Sequence, residues 1–336
     1  MSLAERFEAA LRELAGNLDQ KFVCAFSGGV DSMALLALMA EIIPPDRLLA
    51  AHLNHNLRPE SALEAEKARQ AAQLLGLTIN IEAAPVAELA KTRGRGLEEA
   101  GRWARYDFFQ RLLKSWGGDF IVTGHQANDQ AETILLKLFR GGGPASLAGT
   151  RPRQGKILRP LLGFSRAELA EYVAKHQLPT LADPSNADPH FKRNHLRLKI
   201  WPELIVHNPA LLTALGRASQ LALAEEEFWD QRVAELAATL AESLPNGRFR
   251  VRAAGLGALT LAEARRLILY LLRNTKAPLK NGANVPLAGV NAVLKFLSEG
   301  RANGQGVDLP GGRRVERQGV YLYLGPSSRF TTRDSG

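Results

Sequence analysis

The sequence is poor in cysteine and in long apolar runs, and each shortage excludes a class of protein. Its single cysteine, Cys24, can form neither an internal disulfide nor a zinc cluster of several thiolates. No apolar run reaches the roughly 18 residues that a membrane-spanning helix needs. The first 14 residues alternate charged and apolar side chains like an amphipathic helix, which is not typical of a secretory signal. We therefore expect a cytoplasmic protein with no membrane association.

Acidic residues are also fewer than basic ones, and the resulting positive charge indicates which kind of partner the protein binds. The 336 residues contain 43 Lys and Arg against 34 Asp and Glu, a formal net charge of +9. The excess is concentrated at 151–199, with ten basic and four acidic residues. Such a balance favours a polyanionic partner, although charge alone does not separate a nucleic-acid surface from an ordinary solvated face.

The first half of the chain alternates strand and helix patterns. Short apolar runs predict strands at 21–26, 47–53, 78–81 and 119–123. Helices are predicted at 33–43, 59–75, 97–116 and 127–140. This alternation predicts an α/β fold with a doubly wound parallel sheet, whose ligands sit at the carboxyl ends of the strands.

The pattern changes after residue 143. Helical segments rich in Ala and Leu run to about residue 244, and short strands between 307 and 324 form an antiparallel meander. We expect a catalytic domain over 1–215, and a helical linker with a small α+β domain over 216–336.

The segment Ser27-Gly28-Gly29-Val30-Asp31-Ser32 lies between the first strand and the first helix of that pattern. Two glycines allow a close backbone approach, and a helix N-terminus offers unpaired N–H groups, which together favour a phosphate. Asp31 would repel a phosphate, so a bridging Mg²⁺ is the economical reason for its presence. The segment lacks the Gly-Lys-Ser/Thr ending of a Walker loop and the third glycine of a dinucleotide fingerprint.

A second polar cluster, Gly124 to Thr133, follows the fourth predicted strand. On a helix, His125, Asp129 and Glu132 would share one face, where they could hold a metal or form an acid–base pair. An ordinary helix start with acids in its first turn is the alternative.

The sequence resembles the tRNA(Ile)-lysidine synthetases, within the N-type ATP pyrophosphatases that carry a PP-loop. The resemblance covers about the first 205 residues, and the Leu-Pro-Gly-Gly segment near residue 310 is similar to the family's first C-terminal domain. The matching stretches, in the family's order, are 27–32, 52–58, 97–106, 124–133, 159–162, 183–186 and 193–197.

The resemblance implies a carbon–nitrogen ligase that uses ATP and Mg²⁺. It would adenylate the C2 oxygen of the wobble cytidine in the CAU anticodon of tRNA(Ile) and release diphosphate. The ε-amine of free L-lysine would then displace AMP and form lysidine, which switches decoding from AUG to AUA. Another PP-loop adenylating ligase, or a tRNA-binding protein with a decayed ATP site, are the alternatives. A homodimer is compatible with the sequence, which does not establish the oligomeric state.

The resemblance also implies roles for individual residues. Asp31 and Asp129 would handle Mg²⁺, and the 27–32 loop would bind ATP. Catalytic roles fall to Asp31, His125, Asp129, Arg102 and Arg105. The residues expected to contact nucleic acid are Arg159, Arg193, Asn194 and Arg197. The resemblance also implies that the C-terminal domain, residues 216–336, binds tRNA.

Two points stay open. Arg102 and Arg105 share a helix face with Glu98, so a surface ion pair is the alternative to a contact with the cytidine or a phosphate. The family usually has two adjacent aspartates where this chain has Asn128 and Asp129, and an asparagine keeps a carbonyl oxygen but loses the charge.

Overall fold

A computed structural model describes residues 1–56, 61–94, 96–181, 192–275, 287–299 and 303–327. The chain divides into two compact units, residues 1–223 and 224–336. This division falls inside one long helix, eight residues beyond the predicted boundary at 215. No helix in the described ranges is long and apolar enough to cross a membrane.

The first unit is built on a six-stranded sheet. Its strands are β1 (Phe22–Ala25), β2 (Leu48–Asn54), β3 (Thr78–Ala83), β4 (Phe120–Val122), β5 (Arg153–Gln154) and β6 (Ile157–Leu158). Their order is β3-β2-β1-β4-β6-β5, and all neighbours are parallel except β5 and β6. The predicted doubly wound parallel sheet is confirmed, and the short antiparallel β5–β6 hairpin at its edge was not predicted.

Helices cover both faces of this sheet. They are α1 (Leu3–Ala15), α2 (Val30–Ile42), α3 (Ser61–Leu74), α4 (Val86–Arg93), α5 (Leu97–Trp116), α6 (Ala127–Phe139), α7 (Arg166–Lys175), α8 (Lys192–His195), α9 (Trp201–His207) and the start of α10 (Leu211–Leu240). Alternate residues of β1 point to opposite faces, as a strand requires. Phe22 and Cys24 join a core with α1, α2 and α7, whereas Val23 joins a core with α4 and α5. Cys24 is fully buried, which agrees with a structural role for the cysteine.

The second unit contains a five-stranded antiparallel sheet in the order β7-β8-β11-β10-β9. Its elements are the end of α10, β7 (Ala241–Ser243), β8 (Phe249–Arg252), α11 (Ala253–Gly257), α12 (Leu261–Asn274), α13 (Leu287–Ser298), β9 (Gly306–Leu309), β10 (Arg313–Gln318) and β11 (Tyr321–Pro326). The predicted meander is β9 to β11, and Val251, Val315, Leu322 and Leu324 contribute to the core of this unit. The expectation of a small α+β unit is confirmed, and its assignment to tRNA stays a prediction.

Candidate active site

The segment 27–32 forms a loop between β1 and α2, with Gly29 as the N-cap residue. Its two serines hold it in shape. The Ser27 amide donates to Ser32 Oγ at 3.2 Å, and Ser32 Oγ donates to the Gly29 carbonyl at 2.9 Å. The two hydroxyl oxygens are 3.0 Å apart. Ser27 is exposed, so both its hydroxyl and the free N–H groups of the first turn of α2 suit an incoming anion.

Gly28 is required by two features of this loop. Its φ is +86°, in the left-handed region that favours glycine. A Cβ at this position would lie 2.7 Å from Leu181 Cγ and closer still to its Cδ1. The Leu181 amide donates to the Gly28 carbonyl at 2.8 Å, so the chain at Leu181 packs directly on the loop.

The loop after β4 meets the first turn of α2. A Cβ at Gly124 would lie 3.3 Å from the Asp31 carbonyl oxygen, which shows how closely the two segments approach. This proximity brings the two polar clusters of the sequence into one site at the carboxyl ends of β1 and β4, as the doubly wound fold predicts.

Asp31 and Asp129 share a cationic neighbour, Arg166, in this site. Arg166 Nη2 lies 3.9 Å from Asp31 Oδ2 and 3.9 Å from Asp129 Oδ1. The other carboxylate oxygen, Asp31 Oδ1, is buried and has no hydrogen-bond partner within the described part of the chain. Burial raises the pKa of Asp31, although Arg166 opposes that rise. A buried carboxylate oxygen without a partner, beside a second carboxylate, suits a hard cation such as Mg²⁺.

Asp129 and Glu132 are also held by two arginines from another segment. Arg193 Nε and Arg197 Nε each donate to Glu132 at 2.7 Å, and their Nη2 atoms lie 3.1 and 3.3 Å from Asp129 Oδ1. The Glu132 side chain is only 3% exposed. Burial opposes its ionisation, but hydrogen bonds from Arg197 and Arg193 outweigh burial and lower the pKa of Glu132. The site therefore contains an ionised Glu132 whose charge is balanced by two arginines.

This network bears on the residues expected to contact nucleic acid. Arg193 and Arg197 face the acids of α6, and Asn194 lies beside Arg193 on α8. Arg159 is 2% exposed, and its Nη1 donates to the Arg151 carbonyl at 2.7 Å. Their contact with nucleic acid stays a prediction, which the burial of Arg159 does not favour.

The expectation that His125 shares a helix face with Asp129 and Glu132 is wrong. Helix α6 begins only at Ala127, because Gln126 is extended and forms a capping box with Asp129. His125 precedes this cap, and its Nδ1 is 2.9 Å from Thr123 Oγ1.

The surroundings of His125 keep the imidazole neutral. Burial, followed by the positive charges of Arg159 and Arg193, lowers the pKa of His125 to about 3. A neutral imidazole has one ring nitrogen that can accept a hydrogen bond or a proton. The low pKa also makes His125 a weak base, so at neutral pH its ring nitrogen suits a hydrogen bond better than the uptake of a proton.

Arg102 and Arg105 lie on the exposed side of α5. Arg105 Nη2 is 3.2 Å from His55 Nε2, and the Arg102 guanidinium lies 5.2 Å from the centre of the Tyr106 ring. The described contact of Arg102 is therefore with an aromatic ring and not with Glu98. Both residues are exposed, although burial of the Arg105 guanidinium lowers its pKa.

Asn128 accepts a structural hydrogen bond, for which a side-chain amide serves as well as a carboxylate. Its Oδ1 accepts from the backbone N–H of Arg166 at 3.0 Å, at the start of α7. An aspartate would accept the same hydrogen bond, so this contact needs no charge.

Arg166 is the site residue that sequence reasoning missed. The Ser165–Glu168 capping box indicates a helix start in the sequence. Nothing in that pattern tells where the guanidinium reaches, because the distance to Asp31 and Asp129 depends on how α7 packs. The predicted stretches at 57–58 and 183–186 lie outside the described residues.

Comparisons with known proteins indicate the family of this chain. Residues 3–204 match the family model described as the PP-loop domain. The tRNA(Ile)-lysidine synthase of Thermus thermophilus is 39% identical over 307 residues, which are 90% of this chain and 56% of that protein. The enzyme of the same name from Thermosynechococcus vestitus is 33% identical over 314 residues, covering 91% of this chain and 87% of that protein.

A relative from Solibacter usitatus with the same name is 36% identical and covers 89% of this chain and 66% of its own length. This chain spans little more than half the length of the Thermus relative. Among solved structures, the U34-tRNA thiolase NcsA of Methanococcus maripaludis superposes with a TM-score of 0.54 at 18% identity, over 66% of this chain and 79% of that one. That likeness concerns the fold alone.

Proposed function

Because the chain belongs to the PP-loop domain family and, within it, to the tRNA(Ile)-lysidine synthases, we propose that it forms lysidine in tRNA(Ile). The reaction is ATP-dependent adenylation of the C2 oxygen of the wobble cytidine in a CAU anticodon, followed by attack of the lysine ε-amine. Diphosphate and AMP leave in turn. Such a reaction places the protein with tRNA in the cytoplasm. The observation that carries the proposal is the proximity of the 27–32 loop to the segment that contains Asp129, with Arg166 beside both Asp31 and Asp129. The chain matches these relatives over nine tenths of its length.

The ATP-binding part of the proposal rests on the loop. Its hydroxyl and backbone N–H groups would hold the β- and γ-phosphates, so that the α-phosphate faces the attacking oxygen. Asp31 and Asp129 are the residues that would hold Mg²⁺, which neutralises phosphate charge when bound. Arg166 sits beside both carboxylates and is placed to stabilise the departing diphosphate.

The second half of the reaction needs a deprotonated amine. Free lysine carries an ammonium at neutral pH and attacks only after it loses a proton. The candidates for receiving that proton are His125, which is neutral but a weak base, and Asp129, which contacts Arg193. Arg102 and Arg105 would contact the cytidine or its phosphate.

Incorporation of labelled lysine into RNA tests the proposal. The full chain, Mg-ATP and labelled lysine are mixed with a tRNA(Ile) transcript bearing CAU, or with the same transcript carrying uridine at the wobble position. We expect label only in the cytidine transcript. The Asp129→Asn variant should lose most of this activity, whereas Asp107→Asn, on the exposed pair with Arg111, should keep it.

Two results would contradict the proposal. Absence of incorporation by a chain that binds the transcript would leave a tRNA-binding protein without ligase activity. Exchange of diphosphate into ATP without any RNA would indicate an adenylating ligase for a small molecule.

A further inference from the structure

A second anion-compatible feature lies along α5, away from the 27–32 loop. A cleft of about 680 Å³ runs between α5 and the β5–β6 hairpin. Arg102 and Lys114, three turns apart on α5, mark its two ends on the helix side, and Lys156 lies in the hairpin turn opposite. None of the roles assigned above uses Lys114 or Lys156.

The charge of this cleft has one sign. Its described lining includes four cations and no carboxylate, namely Arg102, Lys114, Lys156 and Arg159. Lys114 and Lys156 are exposed, so their ammonium groups are available to a ligand. Arg159 is almost fully buried, and its Nε has no hydrogen-bond partner within the described part of the chain. Arg159 therefore adds positive charge to the cleft from below its surface, and the exposed lysines are the groups that a ligand can contact.

The floor of the cleft is apolar where the rim is basic. Leu113, Ile121 and Ile157 line it, and the Tyr106 ring forms part of the wall. A strand of unpaired nucleotides has the same division, because its bases stack on aromatic and apolar surfaces while its phosphates need cations. A simple inorganic anion would have no use for the apolar floor.

The cleft also approaches the candidate active site. Arg159 lines the cleft and directly follows Leu158, whose carbonyl accepts from the Thr123 amide at 3.0 Å. Thr123 Oγ1 in turn lies 2.9 Å from His125 Nδ1. A strand of RNA that presents a base beside His125 would therefore continue into this cleft.

We propose that the cleft along α5 binds single-stranded RNA next to the modified nucleotide, with Lys114 and Lys156 as its phosphate contacts. This inference rests on the proposed function and extends it to a path for the anticodon loop. The occupant is an RNA strand and not ATP, whose phosphates are assigned to the 27–32 loop.

Binding of an anticodon stem-loop at several salt concentrations tests the inference. The full chain is titrated with a labelled 17-nucleotide CAU hairpin, as the parent and as the Lys114→Gln/Lys156→Gln double variant. Each lost phosphate contact removes about 0.7 from the slope of log affinity against log salt. We expect the slope to fall by about 1.4 and affinity near 0.15 M salt to fall roughly tenfold. ATP affinity should be unchanged.

The matched control is Lys91→Gln/Lys175→Gln, which removes the same charge from exposed positions outside the cleft lining. Equal slopes for the parent and the cleft variant would overturn the inference, as would an equal loss in the control. A loss of ATP affinity in the cleft variant would instead assign the cleft to the nucleotide. Lysine incorporation by the parent, measured on the same preparation, shows separately whether the proposed function holds.

Discussion

The loop at 27–32 and the cleft along α5 both suit phosphate, but they are built in opposite ways. The loop contains no cation, and it offers backbone N–H groups and hydroxyls beside an acidic residue, Asp31. The cleft offers four cationic side chains over an apolar floor. Fixed N–H groups suit one phosphate group in one position, whereas mobile lysines suit a polyanion at several positions. On the proposed function, the loop would place the nucleotide and the cleft would hold the long RNA substrate.

Gly28→Ala should break the loop and leave the cleft intact. The substitution forces a left-handed alanine against Leu181 and displaces the N–H groups. We expect the loop to lose about 3 kcal/mol of its stabilisation of the transition state. The ATP–diphosphate exchange rate should then fall by on the order of 100-fold. RNA affinity should not change. Gly117→Ala introduces similar strain at φ +69° with no neighbour within 4 Å, so a comparable loss of exchange there would contradict the explanation.

The Glu132→Gln substitution should lower the stability of the protein, because it disrupts the buried acid cluster and not the cleft. The change leaves two arginines without their buried partner, which we expect to cost about 2–3 kcal/mol. Urea denaturation measures this free energy of unfolding. Glu82→Gln, in the exposed pair with Arg111, should cost about 1 kcal/mol or less. Similar losses for the two variants would show that burial does not govern the strength of these pairs.

The pH dependence of the free energy of unfolding should reveal the burial of His125. Its pKa is about 3 in the folded protein and near 6.5 when unfolded, so the unfolded chain binds the extra proton. The contribution to stability is complete above pH 6.5 and is lost as pH falls towards 3. The parent should therefore lose more stability than His125→Gln between pH 7 and pH 5. An unchanged difference between the two proteins, measured by urea denaturation, would show that His125 is not shielded.

Asn128→Asp should have the smallest effect. The hydrogen bond to the Arg166 amide survives, and only a charge is added beside Asp129. We expect ATP–diphosphate exchange within about threefold of the parent, under 1 kcal/mol. Asn128→Ala removes the acceptor from the start of α7 and should reduce stability by about 1 kcal/mol. A large gain in activity for Asn128→Asp would show that the missing charge matters after all.

Local patterns were enough for much of the fold and part of the site. The apolar strand, the glycine loop and the following helix are contiguous, so the sequence predicted β1, the loop and α2 correctly. The 97–116 helix was predicted with its observed bounds. The β5–β6 hairpin was missed because two-residue strands carry no periodicity.

The helix register of His125 was wrong because an N-cap residue places the preceding side chain outside the helix. Spacing alone does not show where a helix starts, and the Gln126 cap became visible only through its hydrogen bonds. The same limit applies to Arg193 and Arg197. Their expected contact with RNA stays a prediction, and the sequence did not show that they also contact Asp129 and Glu132.

Composition and short motifs were thus sufficient for the class of fold, the phosphate loop and the family resemblance, because these depend on residues that are neighbours along the chain. Packing settled the rest, since it joins residues far apart in sequence. It brought Arg166 between Asp31 and Asp129, buried Arg159, and opened a basic cleft beside α5. Electrostatic interactions depend on the distance between charges and on their burial, and both quantities are determined by tertiary packing and not by the order of the residues.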